Sequence, residues 1–212
     1  DIDLYVAVDD PGLLTLNPPS VTASFKSLGR GGTELIVFSN SAPGTVYYIG
    51  VKSEDQEAAE YGFFGLFSRN PFGSSDTNGN LFLPGVPIPA IIPDAAIDAA
   101  GKISPGAVQT FFLNVSPISV RRVIVTNSIS HQLIGDLVGA LSHNQKFAVL
   151  NNHSCPIDAN SGLCFTNFTY VYEDNEENDF PALRTDGPGS LRNFVGEEGV
   201  GVWILTRGGK GG

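Results

Sequence analysis

The sequence predicts an all-β protein made of two small β-sandwich modules in tandem. Three observations point there. Twenty-five glycines and 14 prolines punctuate a chain of 212 residues. Between them lie short runs in which apolar residues recur at every second position. Few uninterrupted stretches are long enough for a sizeable helix. The 42% hydrophobic content is ordinary for a globular chain, so a core can form.

The first module is expected over 1–68. Strand-like runs fall at 2–8, 21–25, 34–39, 45–51 and 61–67, separated by turn residues, a rhythm that suits a small sandwich. From Arg69 to Pro93 the text becomes RNPFGSSDTNGNLFLPGVPIPAIIP, where Asn, Gly, Ser and Pro dominate. It is expected to be a linker that finishes as an extended lead-in. A second set of β-like runs fills 94–206, ending at GVGVWILT, and 207–212 is expected to be a flexible tail. No tandem repeat is visible.

One stretch is ambiguous by periodicity. In SHQLIGDLVGAL, Ile134, Leu137, Val138 and Leu141 fit a helical face, while Leu137, Gly139 and Leu141 fit strand alternation. Gly135 and Gly139 would each cost a helix interior about 1 kcal/mol relative to alanine. The flanks also favour strands: Val123, Val125 and Ile129 alternate before it, and Phe147 and Val149 follow in the same register. Two strands are expected, joined near Gly135-Asp136 with Asp136 bonding turn amides, followed by a turn at Ser142-His143-Asn144-Gln145.

Charge excludes some partners. Twelve Lys plus Arg against 22 Asp plus Glu leave a formal charge of -10, which repels a phosphate backbone or an anionic membrane surface, so no nucleic acid is expected as a partner. No run of eighteen apolar residues exists, and no membrane insertion is expected. The chain opens at Asp1 and contains no methionine, as a processed or excised fragment would. Cys155 and Cys164 bracket CPIDANSGLC, a loop that a disulfide can close with a stabilisation just under roughly 3 kcal/mol. A bridge fits an oxidising setting, secreted or at the extracellular surface. The sequons at Asn114, Asn152 and Asn167 carry little weight.

Two resemblances follow from ordered motifs. IIPD at 91–94, VRRVIVTNSISHQLIGDLVGAL at 120–141, FAVLNN at 147–152, the acidic YEDNEENDF and GSLRNFVGEEGVGVWILT at 189–206 occur in that order. Over 91–206 the chain thereby resembles the P domain of subtilisin-like proprotein convertases. Its most diagnostic pieces are I-P-D, the pattern of His131, Asp136 and Leu137, and the closing G-x-L-x-x-F-x-G-x4-G-x-W-x-L. The resemblance implies a jelly-roll β-sandwich in which SHQLIGDLVGAL is strand, turn, strand. DIDLYV at 1–6 and GTVYYIGV at 44–51 are similar to the pre-peptidase C-terminal domain, another small sandwich, which usually has strands before D-x-D-L-Y-V.

Candidate chemistry is sparse. His131, Asp136 and Ser142 have the residue types of a hydrolytic triad, but no G-x-S-x-G elbow appears and a strand over 137–141 separates Ser142 from His131. No catalytic residue is assigned. The acidic cluster Glu173, Asp174, Glu176, Glu177 and Asp179 is a candidate Ca2+ site, since calcium takes six to eight oxygen ligands in irregular loops, and a solvated acidic loop is the alternative. Asp1 and Asp3 form a second candidate pair, placed on one face by a strand. Tyr47, Tyr61, Phe63, Phe64 and Phe67 are expected to be half-buried packing before they are a binding face. Trp203 is expected to fill the second interior.

The expected function is that of a non-catalytic accessory region. The P-domain resemblance implies a module that packs on a subtilisin-type catalytic domain in the same parent chain and supports its folding or targeting. The alternative is an extracellular adhesion module that recognises a polymer such as collagen or polysaccharide.

Overall fold

The computed structural model describes residues 2–29, 34–53, 58–175, 177, 179 and 181–209. The fold is all-β, with several antiparallel sheets, one short α-helix and three 3-10 turns among these residues. The chain divides into two compact units, Asp1–Pro71 and Phe72–Gly212.

In the first unit, β1 (Ile2–Val8) lies between β2 (Phe25–Ser27) and β3 (Tyr47–Ser53) in an antiparallel sheet. The pairing sets Val6 opposite both Phe25 and Ile49, so the even positions of β1 make one apolar face. On the other face Leu13, from the 3-10 turn Pro11–Thr15, lies against Gly50 and is buried. Asp10 caps that turn by accepting from the Gly12 N–H at 2.9 Å.

The strand expected over 21–25 is instead mostly α1 (Pro18–Ala23). Pro18 and Pro19 stand where a helix start leaves its N–H groups unpaired anyway, and their fixed φ suits the first turn, which outweighs the β preference of Val21 and Thr22. The runs over 34–39 and 61–67 form no strand. Phe38 instead turns its ring onto Phe25 and Tyr47, with both centroid distances 4.9 Å. Among the described residues this unit therefore has one sheet, and no second sheet faces it.

The second unit opens with two hairpins built the same way. β4 (Ser74–Ser75) pairs with β5 (Leu81–Phe82), and β6 (Ala96–Ile97) with β7 (Ile103–Ser104). In the first, Asp76 accepts from the N–H of Asn78 and Asn80 before Gly79 at φ 81°. In the second, Asp98 accepts from Ala100 and Lys102 before Gly101 at φ 79°. Each aspartate makes an Asx turn and each glycine supplies the left-handed position. The lead-in expected to be linker packs here: Val86 exchanges backbone hydrogen bonds of 2.8 Å with Phe111, and Leu83 and Ile92 lie against the core.

The main sheet has the order β11-β10-β13-β8, where β8 is Gly106–Asn114, β10 Leu137–His143, β11 Lys146–Asn152 and β13 Gly201–Gly209. A two-stranded sheet pairs β9 (Val125–Ser130) with β12 (Asn167–Tyr172). One core joins them: Leu137, Leu141, Ala148, Leu150, Trp203 and Leu205 from the larger sheet meet Val125, Ile129, Tyr170 and Tyr172 from the smaller. Phe194, from a 3-10 turn over Leu191–Phe194, is fully buried with them. This is a sandwich, and Trp203 fills its interior.

SHQLIGDLVGAL ends one strand and begins another, but β9 and β10 lie in different sheets. The joint is a 3-10 turn, Ile134–Asp136, closed by the Asp136 N–H donating to Leu133 O at 3.0 Å, so the aspartate contributes its backbone amide. The next turn is only Asn144-Gln145, with Asn144 at φ 50°, while Ser142 and His143 belong to β10. In β11 the inward residues are Ala148 and Leu150, and Phe147 is exposed. β13 continues through Arg207 to Gly209, residues assigned to the tail by the sequence, and 210–212 lie outside the described residues.

Candidate functional site

The acidic stretch after β12 lines a cleft of about 600 Å³ together with Arg121, Arg122 and Arg192. Arg122 organises the carboxylates. Its two terminal nitrogens donate to both oxygens of Asp179, at 2.8 and 2.6 Å, one of them also meets Glu177 at 3.3 Å, and Nε donates to Glu173. This fork-to-fork contact suits the planar guanidinium. The hydrogen bonds it donates to Asp179 and then Glu173 hold the Arg122 pKa well above its ordinary value, so it is charged at every accessible pH.

Asp174 is engaged elsewhere. One oxygen accepts from the Thr185 N–H at 3.0 Å, and the other accepts from Thr185 Oγ1 at 2.8 Å, Ser190 Oγ at 2.6 Å and the Leu191 N–H at 2.6 Å. Burial pushes this carboxyl up, but the bonds from Ser190, Thr185 and Leu191 outweigh it and hold the pKa below the usual carboxylate value. Asp174 therefore pins the end of β12 to the start of the Leu191–Phe194 turn.

The oxygens expected to face a cation thus face Arg122, backbone amides and hydroxyls. Among the described residues no group of three or more His, Cys, Asp or Glu side chains is placed to hold a metal ion. Glu176 and Asp1 lie outside the described residues. Asp3 is buried on β1, where one oxygen accepts from the Tyr5 hydroxyl at 3.4 Å and the other has no partner among the described residues.

The triad residue types do not form a hydrogen-bonded series. His131 Nδ1 accepts from the Leu133 N–H at 3.1 Å, and Ser142 Oγ contacts Ile204 O at 3.5 Å. The histidine with the most defined surroundings is His143. Only 2% exposed, it stacks flat on Trp203 at 4.1 Å and sets its ring nitrogens 3.0 Å from Val202 O and 2.9 Å from Glu198 O.

Cys155 and Cys164 are bonded, with Cα atoms 5.6 Å apart. Asp158 organises the loop they close, accepting from the Asn160 N–H at 3.0 Å and Ser161 Oγ at 2.9 Å. In the first unit Tyr47 is half-buried against Phe38, as expected of a packing residue, whereas Tyr61, Phe63 and Phe67 are exposed, Phe67 to 84%, so the expectation of half-buried packing does not hold for these three.

Sequence reasoning missed three residues: Arg122, His143 and Arg207. Strand parity could have placed two of them. His143 continues the inward series Leu137, Gly139, Leu141, and Arg207 continues Trp203, Leu205. Among the described residues no helix is long and apolar enough to cross a membrane. Compared with protein-family models, curated proteins and solved structures, the chain matches none.

Proposed function

We propose that the chain is a non-catalytic accessory region of a secreted or cell-surface protein, with the second unit stabilising or targeting a subtilisin-type protease domain in the same parent chain. One observation carries this reading. The residues behind the P-domain resemblance, Leu137, Leu191, Phe194, Trp203 and Leu205, are the packing residues of a single sandwich core. They serve the fold rather than a reaction. The groups with chemistry to offer are engaged nearby: Arg122 by three carboxylates, Asp174 by amides and hydroxyls, and His143 by two carbonyls.

The test is to compare the chain alone with the chain joined to the sequence that adjoins it in its gene. An accessory role expects no turnover of casein or generic esters by the chain alone, and a higher melting temperature for the adjoining domain when joined. Turnover that vanishes in Ser142→Ala would sink the reading. At the acidic cluster, calcium would enter this reading by displacing Arg122 from Glu177 and Asp179. A midpoint raised by millimolar calcium, restored by chelator and unmoved in Asp179→Asn would support that exchange.

A second reading, adhesion to an extracellular polymer, is favoured by the exposed aromatics Tyr61, Phe63 and Phe67 of the first unit. A saturable isotherm on collagen or polysaccharide that Phe67→Ala weakens would select it.

A further inference from the structure

Arg207 is 4% exposed, on the inward side of β13 facing the smaller sheet's residues. Its β10 neighbour is Gly139, where a Cβ would come within 1.9 Å of the guanidinium, so only glycine leaves the room it occupies. Nη1 donates to Asn151 Oδ1. Asn151 Nδ2 donates to Leu137 O at 2.7 Å, which fixes the amide with its oxygen toward the arginine. Nε and Nη2 are buried without a hydrogen-bond partner, and so are the hydroxyls of Tyr170 and Tyr172.

These orphan groups belong to one place. Tyr170 and Tyr172 project from β12 with rings stacked at 5.6 Å, and both lie close enough to interact with Arg207, whose burial works against its charge. The Tyr172 hydroxyl lies beside the Arg207 guanidinium, but not in normal hydrogen-bond geometry. Donors greatly outnumber acceptors, since Nε, Nη2 and both phenols carry protons and only the phenol oxygens could accept. Nor do the phenols supply a counter-charge. Burial raises both pKa values, Tyr172 to about 12, so both stay neutral at physiological pH. Asp186, the acid that acts on Tyr172, already accepts from the Asn152 N–H and Ser154 Oγ.

We propose that the Arg207, Tyr170 and Tyr172 cluster binds a small monovalent anion of the halide type inside the second unit's sandwich. A halide accepts several hydrogen bonds from any direction and supplies the missing charge. It would link β13 in one sheet to β12 in the other. A single water would satisfy some donors but leave the charge unpaired.

The test uses the full chain in sodium gluconate, titrated with sodium chloride at constant ionic strength. The thermal midpoint should rise with chloride and then saturate, and bromide should reproduce the rise. Tyr170→Phe keeps the ring and removes one donor. It should shift the response to about tenfold higher chloride or more, the loss of one hydrogen bond to an ion. Crystals grown in bromide should show an anomalous peak beside Arg207. Arg207→Met, if it folds, should lose the response, and Tyr170→Phe tests the same point if it does not. A midpoint indifferent to halide with no bromide peak at Arg207 overturns the proposal, as does a chloride response equal in wild type and Tyr170→Phe. A crystal in bromide that holds only water there overturns it as well.

Discussion

Two arginines of the second unit make opposite use of the same side chain. Arg122 sits at the edge of a cleft and collects Glu173, Glu177 and Asp179. Arg207 lies in the interior among Asn151, Tyr170 and Tyr172, with no carboxylate hydrogen-bonded to it among the described residues. At the surface, water and salt screen the charges, and paired arginines of this kind contribute modestly. In the interior a charge is expensive to hold, so everything around it must be shaped to it, down to the missing side chain at Gly139. The comparison teaches that the abundance of charge partners is a poor guide to which site the fold depends on.

The largest expected effect breaks the interior site sterically. Gly139→Ala places a methyl group on the guanidinium and on Asn151 Oδ1, 2.7 Å from the new Cβ. Because both groups are buried, neither can step aside into solvent, and a loss of about 3 kcal/mol is expected, at the upper end for overpacked cores. Urea unfolding measures it. A variant as stable as wild type would show that the arginine relocates freely and that the interior site is not specified by its surroundings.

How much of this was legible in the sequence depends on the residue. Strand periodicity found the inward series of β10 and put Trp203 of β13 in the core, because in a two-faced sheet burial follows parity. The same parity was not followed to His143 and Arg207, where a polar residue ends the apolar run. In the first unit, Val21 and Thr22 are good strand formers, yet the paired prolines before them start a helix. The aromatics at 61–67 have strand-like composition but gained no partner strand, and pairing is not encoded locally. The acidic cluster was found as a cluster, while its cation was not, since Arg122 lies about fifty positions away in the sequence and only folding brings it there.

A smaller effect is expected where the acidic stretch enters the fold rather than the solvent. Asp174→Asn leaves a side chain of the same shape but weakens the acceptor shared by Ser190 Oγ and the Leu191 N–H, for about 1–2 kcal/mol at neutral pH. The pH dependence has a definite sign. An aspartate in the unfolded chain takes up its proton near pH 3.9, roughly, whereas folded Asp174 does so only at lower pH. Between those values the unfolded state binds more protons, so this stabilisation is present above about pH 4 and is lost as pH falls through the folded value. The variant should therefore unfold less steeply with acid. Asp10, Asp76, Asp158 and Glu198 are shifted in the same direction, so the acid limb is reduced and not abolished. Acid titrations of the two proteins that run parallel would remove Asp174 from the account.

The smallest effect is expected at the surface arginine, and it sharpens the comparison by its dependence on salt. Asp179→Asn removes the bidentate partner of Arg122 and keeps the side chain's size. Glu173 and Glu177 remain to hold the guanidinium, so the charge is not stranded. The loss should lie below about 1 kcal/mol in dilute buffer, as for other exposed pairs, and should shrink further near 1 M salt, where the screening length falls to roughly 3 Å. Gly139→Ala, which acts by volume, should keep its full cost under the same salt. Measuring both variants at low and high ionic strength therefore separates a screened contact from a packed one within a single unit. Equal sensitivity to salt in the two would mean that the Arg122 cluster is as much a part of the fold as the interior, and the contrast between the two arginines would fail.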